Sequence, residues 1–124
     1  MDSIAQMITT IKNAGMIGRK EIEVPFSKFK KAILDIIKSE GYLSEVKIDD
    51  KIIKITLSYK GKAWLINDIK RVSKPGRHLY RKAGKIPFYK RGMGIYVVST
   101  SAGVMTDKQA RQKGVGGELI CQIY

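Results

Sequence analysis

Three consecutive hydroxyl residues and a nearby glycine are the most chemically suggestive feature of the chain. They form the segment Ser99-Thr100-Ser101-Ala102-Gly103, which follows an alternating run that starts at Ile95. Hydroxyl groups both donate and accept hydrogen bonds, so they can contact phosphates, ribose hydroxyls and base edges. Gly103 permits a positive φ or a close backbone approach. An ordinary polar turn is the alternative interpretation of the same residues.

Positive charge is concentrated upstream of the hydroxyl segment. Residues 70–91 contain nine basic residues and no acidic one, and such a field attracts a polyanion. Aromatic rings lie between these cations and suit stacking on unpaired bases, at about 1–3 kcal/mol per base. We expect Tyr80 to contact RNA and Phe88 to be a core residue. A solubilising surface is the alternative for the nine basic residues, Lys70, Arg71, Lys74, Arg77, Arg81, Lys82, Lys85, Lys90 and Arg91.

A glycine-rich segment, Gly114-Val115-Gly116-Gly117-Glu118, resembles a phosphate-binding loop only superficially. Dinucleotide-binding loops follow a strand and open a helix, whereas this segment follows a predicted helix and opens a predicted strand. We therefore interpret it as a helix end whose small residues allow a close approach.

The titratable residues form no catalytic set. Asp107 is best explained by helix capping, and Glu118 has no evident second carboxylate for acid–base chemistry. Cys121 alternates with apolar neighbours and is predicted to be a buried core thiol. His78 has no evident partner in the sequence and is predicted to lie at the surface or to face RNA.

Composition excludes several classes of protein. The chain has 124 residues, with 24 Lys and Arg against 11 Asp and Glu, and a net charge of +13. One cysteine and one histidine exclude a disulfide framework, a multi-cysteine zinc site and a two-histidine metal site. No apolar run approaches the length of about 20 residues that spans a bilayer, and the first residues do not resemble a signal peptide. We expect a cytoplasmic protein without a cofactor or a membrane partner.

The first half of the sequence predicts the element order α-β-α-β-β. Helical periodicity predicts a helix over 3–14 and a second one from Ser27, a candidate N-cap, to Gly41. The remaining segments predict strands over 21–25, 42–48 and 53–57. Residues 59–62 have the composition of a linker, so we expect an N-terminal α/β subdomain over 1–62 and a second subdomain over 63–124.

The second half is predicted to be mostly β with one short helix. Strands are expected over 64–72, 78–81, 95–100 and 119–124, with a Pro-Gly turn at 74–77 and a loop over 82–94. Thr106 and Gln109 have the spacing of a capping box, which predicts a helix that ends at Gly114. The expected fold class is α+β with two small subdomains.

Two C-terminal blocks of sequence resemble a known family. Residues 99–107, with Ala110-Arg111 and residues 113–118, resemble the C-terminal signature of the bacterial small-subunit ribosomal protein family number eight. The segment 71–76 with Tyr80 resembles the same family, and so do the opening helix over 2–13, Pro25-Phe26-Ser27-Lys28 and Glu40-Gly41-Tyr42. Ala102 departs from the family pattern, where lysine is frequent.

The resemblance implies two packed α+β subdomains and a non-enzymatic protein of the ribosome. It implies direct binding to the central domain of small-subunit rRNA early in assembly, mostly through the C-terminal subdomain. It also implies neighbouring ribosomal proteins as partners and, in many bacteria, translational repression through the protein's own operon mRNA. The expected RNA-binding residues are Ser99, Thr100, Ser101, Gly103, Tyr80, Arg77, Arg81, Lys74, Lys113, Gly116, Gly117 and Glu118.

Two other functions are alternatives. An RNA-modifying enzyme would use Glu118 or Asp107, and its turnover would collapse in Glu118→Ala while binding remained. A general nucleic-acid-binding module would accept duplex DNA as readily as structured RNA.

Overall fold

The chain folds as two compact units. The structure, a computed structural model, describes residues 2–124 apart from the side chain of Arg91. The N-terminal unit comprises Ser3–Asn67, and the C-terminal unit comprises Asp68–Tyr124, with which Asp2 is grouped. This division lies after Asn67, whereas the sequence suggested a boundary after Lys62. Both units combine helices with antiparallel strands, which confirms the predicted α+β class.

The N-terminal unit has the predicted order α-β-α-β-β. Its elements are α1 (Ser3–Met16), β1 (Glu21–Pro25), α2 (Lys28–Ser39), β2 (Leu43–Asp49) and β3 (Ile52–Leu57). The three strands form an antiparallel sheet in the order β1-β3-β2. The Ser27 side chain accepts a hydrogen bond from the Lys30 backbone N–H, so Ser27 is the N-cap that the sequence predicted.

Apolar side chains at helical and strand spacing form the core of this unit. Helix α1 packs against β1, and α2 packs against β2. Alternate residues of β1 and β3 are buried, as expected for strands with one face on a core. The buried apolar residues of the helices are Ile4, Met7, Ile8, Ile11, Ala14, Ile33, Leu34 and Ile37.

The segment that follows β3 differs from its prediction. Residues predicted as a linker form a hairpin of two short strands, β4 (Tyr59–Lys60) and β5 (Ala63–Trp64). The prediction of a single strand over 64–72 was also wrong, because after Trp64 only the short strand β6 (Ile69–Arg71) forms in this range. Trp64 pairs with Tyr59 in one sheet, whereas Ile69 pairs with Ile123 in another. The chain must leave the first ladder before it enters the second, and local sequence does not reveal such a change of partner.

The C-terminal unit is built on an antiparallel sheet with one short helix. The strand order is β6-β10-β8-β9, and β7 also pairs with β10. Residues 82–94, predicted as a loop, contain two 3₁₀ turns at 83–85 and 89–92. Strand β9 was not predicted. The further elements of the unit are β7 (Tyr80–Arg81), β8 (Ile95–Thr100), β9 (Gly103–Thr106), α3 (Asp107–Lys113) and β10 (Gly117–Ile123).

Helix α3 begins and ends as the sequence predicted. The Thr106 side chain accepts from the Gln109 backbone N–H, and the Gln109 side chain accepts from the Thr106 backbone N–H, which completes a capping box. Gly114 ends the helix in the left-handed conformation, with φ +67°. The helix packs against β8 and β9 over a cluster of buried side chains, Ile86, Val98, Met105, Ala110 and Leu119. None of the helices in residues 2–124 is long and apolar enough to cross a membrane.

Candidate nucleic-acid interface

Strand pairing brings the predicted aromatic and hydroxyl residues to the same place. The first residues of β10 lie between β7 on one side and β8 on the other. Glu118 is paired with Tyr80 across one ladder and with Ser99 across the other. Gly117 is paired in the same way with Arg81 and Thr100. Residues that are far apart in sequence therefore become adjacent on a single sheet.

An open cavity of about 650 Å³ lies over this part of the sheet. Tyr80, a 65% exposed residue, stands on one side of it, and the hydroxyl segment lies on the other. Its lining residues are Tyr80, Arg81, Lys82, Ala83, Ser99, Thr100, Ser101, Gly114, Gly116 and Gly117. We call this cavity and its lining the sheet-end cavity.

The lining includes seven of the predicted RNA-binding residues and three others. Lys82, Ala83 and Gly114 were not predicted, although Lys82 belongs to the basic run and Gly114 to the glycine-rich segment. The predicted residues that do not line the cavity are Lys74, Arg77, Gly103, Lys113 and Glu118.

The three hydroxyl groups have different roles in the fold. Thr100 Oγ1 donates to the Gly103 carbonyl at 2.8 Å and accepts from the Ala102 N–H at 3.0 Å. This hydroxyl therefore stabilises the turn between β8 and β9, where Gly103 adopts a φ of +115°. Ser101 is exposed and Ser99 is partly exposed. Neither serine hydroxyl hydrogen-bonds to another group that the structure describes, so both can contact a ligand.

Glycines 116 and 117 are required by close packing within the chain. A Cβ on Gly116 would lie 2.5 Å from the Arg81 carbonyl oxygen, and a Cβ on Gly117 would collide with the Ser99 carbonyl. Side chains at either position would push the neighbouring strand ends away from β10. The sequence suggested that these glycines let a large group come close, and that group is the protein's own backbone.

His78 has a partner that the sequence did not reveal. Its Nδ1 lies 2.6 Å from Glu118 Oε2, although the two residues are 40 positions apart in sequence. The expectation that His78 lacks a partner was therefore wrong. The Glu118 side chain is only 17% exposed and that of His78 is 53% exposed, so the pair lies at the edge of the surface. The ring of His78 is also 6.4 Å from the ring of Tyr80.

The remaining predicted cations are exposed at two chain reversals. Lys74 and Arg77 exchange backbone hydrogen bonds of 3.0 and 2.9 Å across the Pro-Gly turn. Lys113 is the last residue of α3. All three side chains contribute positive charge to the surface of the C-terminal unit.

Asp107 and Cys121 are both buried and contribute to the fold. The buried Asp107 carboxylate accepts from the Tyr96 backbone N–H at 3.2 Å and pairs with Arg111 at 2.7 Å. Cys121 is fully buried, as predicted, and burial raises the pKa of its thiol to about 12. No group of three or more potential metal-ligating side chains occurs among the residues that the structure describes.

Known proteins are similar to this chain along its whole length. A family model described as Ribosomal protein S8 matches residues 2–124. The chain is 49% identical to the small ribosomal subunit protein uS8 of Dictyoglomus thermophilum, over 99% of this chain and 97% of that protein. It is 48% identical to the protein of the same name from Nitratidesulfovibrio vulgaris, over 99% of this chain and 98% of that protein. The chain belongs to the ribosomal protein S8 family.

Proposed function

We propose that the chain binds the central domain of small-subunit rRNA directly, through the sheet-end cavity and the cations around it. As a member of the ribosomal protein S8 family, the chain is a non-enzymatic structural constituent of the small ribosomal subunit in the cytoplasm. RNA recognition by the C-terminal unit is the mechanism that we propose for this role.

The pairing of Glu118 with both Tyr80 and Ser99 is the observation that carries the proposal. It juxtaposes an exposed aromatic ring, two serine hydroxyls that have no hydrogen-bond partner in the described part of the chain, and several cations on one sheet. Regular A-form RNA hides its base edges in a deep, narrow groove, whereas irregular or unpaired RNA exposes them. The cavity therefore suits an irregular, partly unstacked RNA helix.

The proposed contacts are of two kinds, namely cation–phosphate contacts that supply affinity and stacking or hydrogen-bonding contacts that supply selectivity. Phosphates are neutralised by cations around the cavity, and this attraction does not depend on RNA sequence. Tyr80 stacks on a base, while Ser99 and Ser101 hydrogen-bond to base edges or ribose hydroxyls. Gly103, Gly116 and Gly117 shape the backbone that holds these groups. Glu118 Oε1 supplies an acceptor, since Oε2 is held by His78. The cations proposed to bind phosphates include the cavity-lining Lys82 and the exposed Lys85 of the basic run, together with Lys74, Arg77, Arg81 and Lys113.

Binding of this kind favours one conformation of the RNA and so prepares sites for neighbouring small-subunit proteins. An mRNA that mimics the same irregular helix would occupy the same cavity. We therefore propose that the protein's own operon mRNA is a second RNA ligand, through which it represses translation.

The test compares Ser101→Ala with Lys85→Ala in filter-binding assays. The RNAs are a central-domain fragment of small-subunit rRNA and a random-sequence RNA of equal length. Ser101→Ala is expected to weaken binding to the rRNA fragment by about 1 kcal/mol, and binding to random RNA by much less, because a hydroxyl contact depends on the fit. Lys85→Ala is expected to weaken both equally, since phosphates occur in both.

Ser44→Ala is the matched control, because the Ser44 hydroxyl contacts that of Ser58 in the N-terminal unit. It should leave both affinities unchanged. Equal losses on both RNAs for the Ser101 and Lys85 variants would contradict the proposal. Competition by duplex DNA as strong as by the rRNA fragment would instead support a general nucleic-acid-binding module.

A further inference from the structure

Phe88 lies outside the sheet-end cavity and projects into solvent. Its side chain is 65% exposed, so the expectation that it belongs to the core was wrong. The adjacent residue Tyr89 behaves differently, since its ring packs 5.5 Å from Tyr96 and 5.7 Å from Tyr124. Because Phe88 is exposed while its neighbour Tyr89 packs on two rings, we propose that Phe88 is a second stacking site for an unpaired base of small-subunit rRNA. This inference rests on the proposed RNA-binding function.

Arg111 covers one face of the Phe88 ring. Its guanidinium carbon lies 3.8 Å from the ring centroid, within the range of a cation–π contact. The guanidinium is fixed by further bonds, with 2.7 Å between Nη2 and Asp107 Oδ2 and 3.3 Å between Nη1 and the Pro87 carbonyl. Because Asp107 is itself buried and bonded to the Tyr96 N–H, the arginine is held by the core of the unit. The ring is therefore preorganised, with its other face available to a ligand.

The charge around Phe88 favours a polyanion over a protein as the ligand. Asp107 is the only acidic residue between Asp68 and Glu118, and Arg111 already pairs with it. Lys85 and Lys90, which flank Phe88 in sequence, are exposed. Lysine is depleted at the centres of protein interfaces, whereas cations beside an exposed ring are typical of single-stranded nucleic-acid sites. A base stacked on Phe88 would bring its phosphates to a part of the chain that is rich in cations and poor in acids.

Base stacking requires only one free ring face. Every base has a π-face, so an exposed aromatic ring can stack on RNA whatever the base. Phe88 is 65% exposed although Arg111 covers one face of its ring, so the base would stack on the other face. Arg111 on the opposite face makes a three-layer stack of guanidinium, ring and base.

The experiment measures binding of the full chain to the central-domain rRNA fragment by filter binding at fixed salt. Phe88→Ala is expected to weaken binding roughly 5- to 150-fold, the range that corresponds to loss of one stacked base. Phe88→Trp keeps a stacking ring and should bind within about twofold of the wild type. Its added indole should be quenched by the RNA beyond any change in Trp64, the only tryptophan of the wild-type chain.

Ile17→Ala is the matched control, since Ile17 is a 74% exposed apolar residue of the N-terminal unit. It should bind as the wild type does. Unchanged affinity in Phe88→Ala, or equal losses in the Phe88 and Ile17 variants, would overturn the inference while the proposed function stood. Failure of the wild-type chain to prefer the rRNA fragment over random RNA would instead overturn the proposed function. If Phe88→Ala kept its RNA affinity but entered reconstituted small subunits poorly, Phe88 would contact a protein, and the inference would again be wrong.

Discussion

The two stretches of sequence on either side of Asn67 carry the same number of basic residues but very different net charges. Residues 1–67 contain 12 basic and 8 acidic residues, whereas residues 68–124 contain 12 basic and only 3 acidic ones. The difference in charge therefore comes from the acids and not from the cations. A polyanion-binding surface can arise by the loss of carboxylates as well as by the gain of lysine and arginine.

The acids also have different roles in the two units. In the N-terminal unit they form exposed pairs with nearby lysines, such as Lys31–Asp35 and Lys54–Asp49. Among residues 68–124 the three acids Asp68, Asp107 and Glu118 are each paired, and Asp107 is buried. The carboxylates of this region are paired with basic groups of the fold, so few remain to repel a bound phosphate.

Cys121 gives a probe of the C-terminal unit alone, because it is the only cysteine of the chain. Its pKa is raised from 9.0 to about 12 by burial, which lowers the thiolate fraction near pH 8 roughly a thousandfold. We expect a thiol reagent to modify the native protein at least that much more slowly than the urea-unfolded chain. Comparable rates in both states would show that the centre of this unit opens readily.

The same thiol should make stability fall at alkaline pH. Below about pH 9 it is protonated in both the folded and the unfolded chain, so it has no effect on stability. Between about pH 9 and 12 the unfolded chain loses the proton first, and unfolding becomes progressively more favourable. Cys121→Ala should show a shallower alkaline loss of stability in urea titrations. Identical slopes would contradict the assignment of the loss to this group.

Gly117→Ala tests whether close packing at β10 maintains the sheet-end cavity. The added Cβ collides with the Ser99 carbonyl, so we expect a loss of about 1–3 kcal/mol in unfolding free energy and weaker rRNA binding. Chemical denaturation and filter binding measure the two effects. Gly84→Ala is the control, since nothing lies within 4 Å of the position of its Cβ. A Gly117 variant as stable as the Gly84 variant would mean that the strands can separate without cost.

Asp35→Asn tests whether unpaired charge in the N-terminal unit also binds RNA. It breaks the exposed Lys31–Asp35 pair, whose atoms are 2.7 Å apart, and should cost less than about 0.5 kcal/mol of stability. We expect unchanged rRNA affinity, because Lys31 belongs to the other unit. A tighter complex with the Asp35 variant would remove the distinction between the units.

Lys82→Gln, a change in the cavity lining, should instead reduce the salt dependence of binding by about one phosphate contact.

Local sequence predicted many elements of the fold. Apolar spacing located α1, α2 and β3, and the Thr106–Gln109 capping box located the start of α3. These features depend on contacts between residues a few positions apart, and such contacts leave a pattern in the chain. The prediction was wrong for 64–72, where the chain changes from one sheet to another, and for Phe88, whose neighbours do not show whether it faces the core.

The amino-acid order alone determined the charge of the C-terminal half, the hydroxyl segment and the Pro-Gly turn at 74–77, since composition and short-range preference suffice for these. Tertiary structure decided the partners: Glu118 beside His78, Arg111 over Phe88, and the start of β10 between Tyr80 and Ser99. Each of these pairs joins residues about 20 to 40 positions apart. Their proximity follows from strand register and helix packing, which depend on the whole unit burying its apolar surface at once.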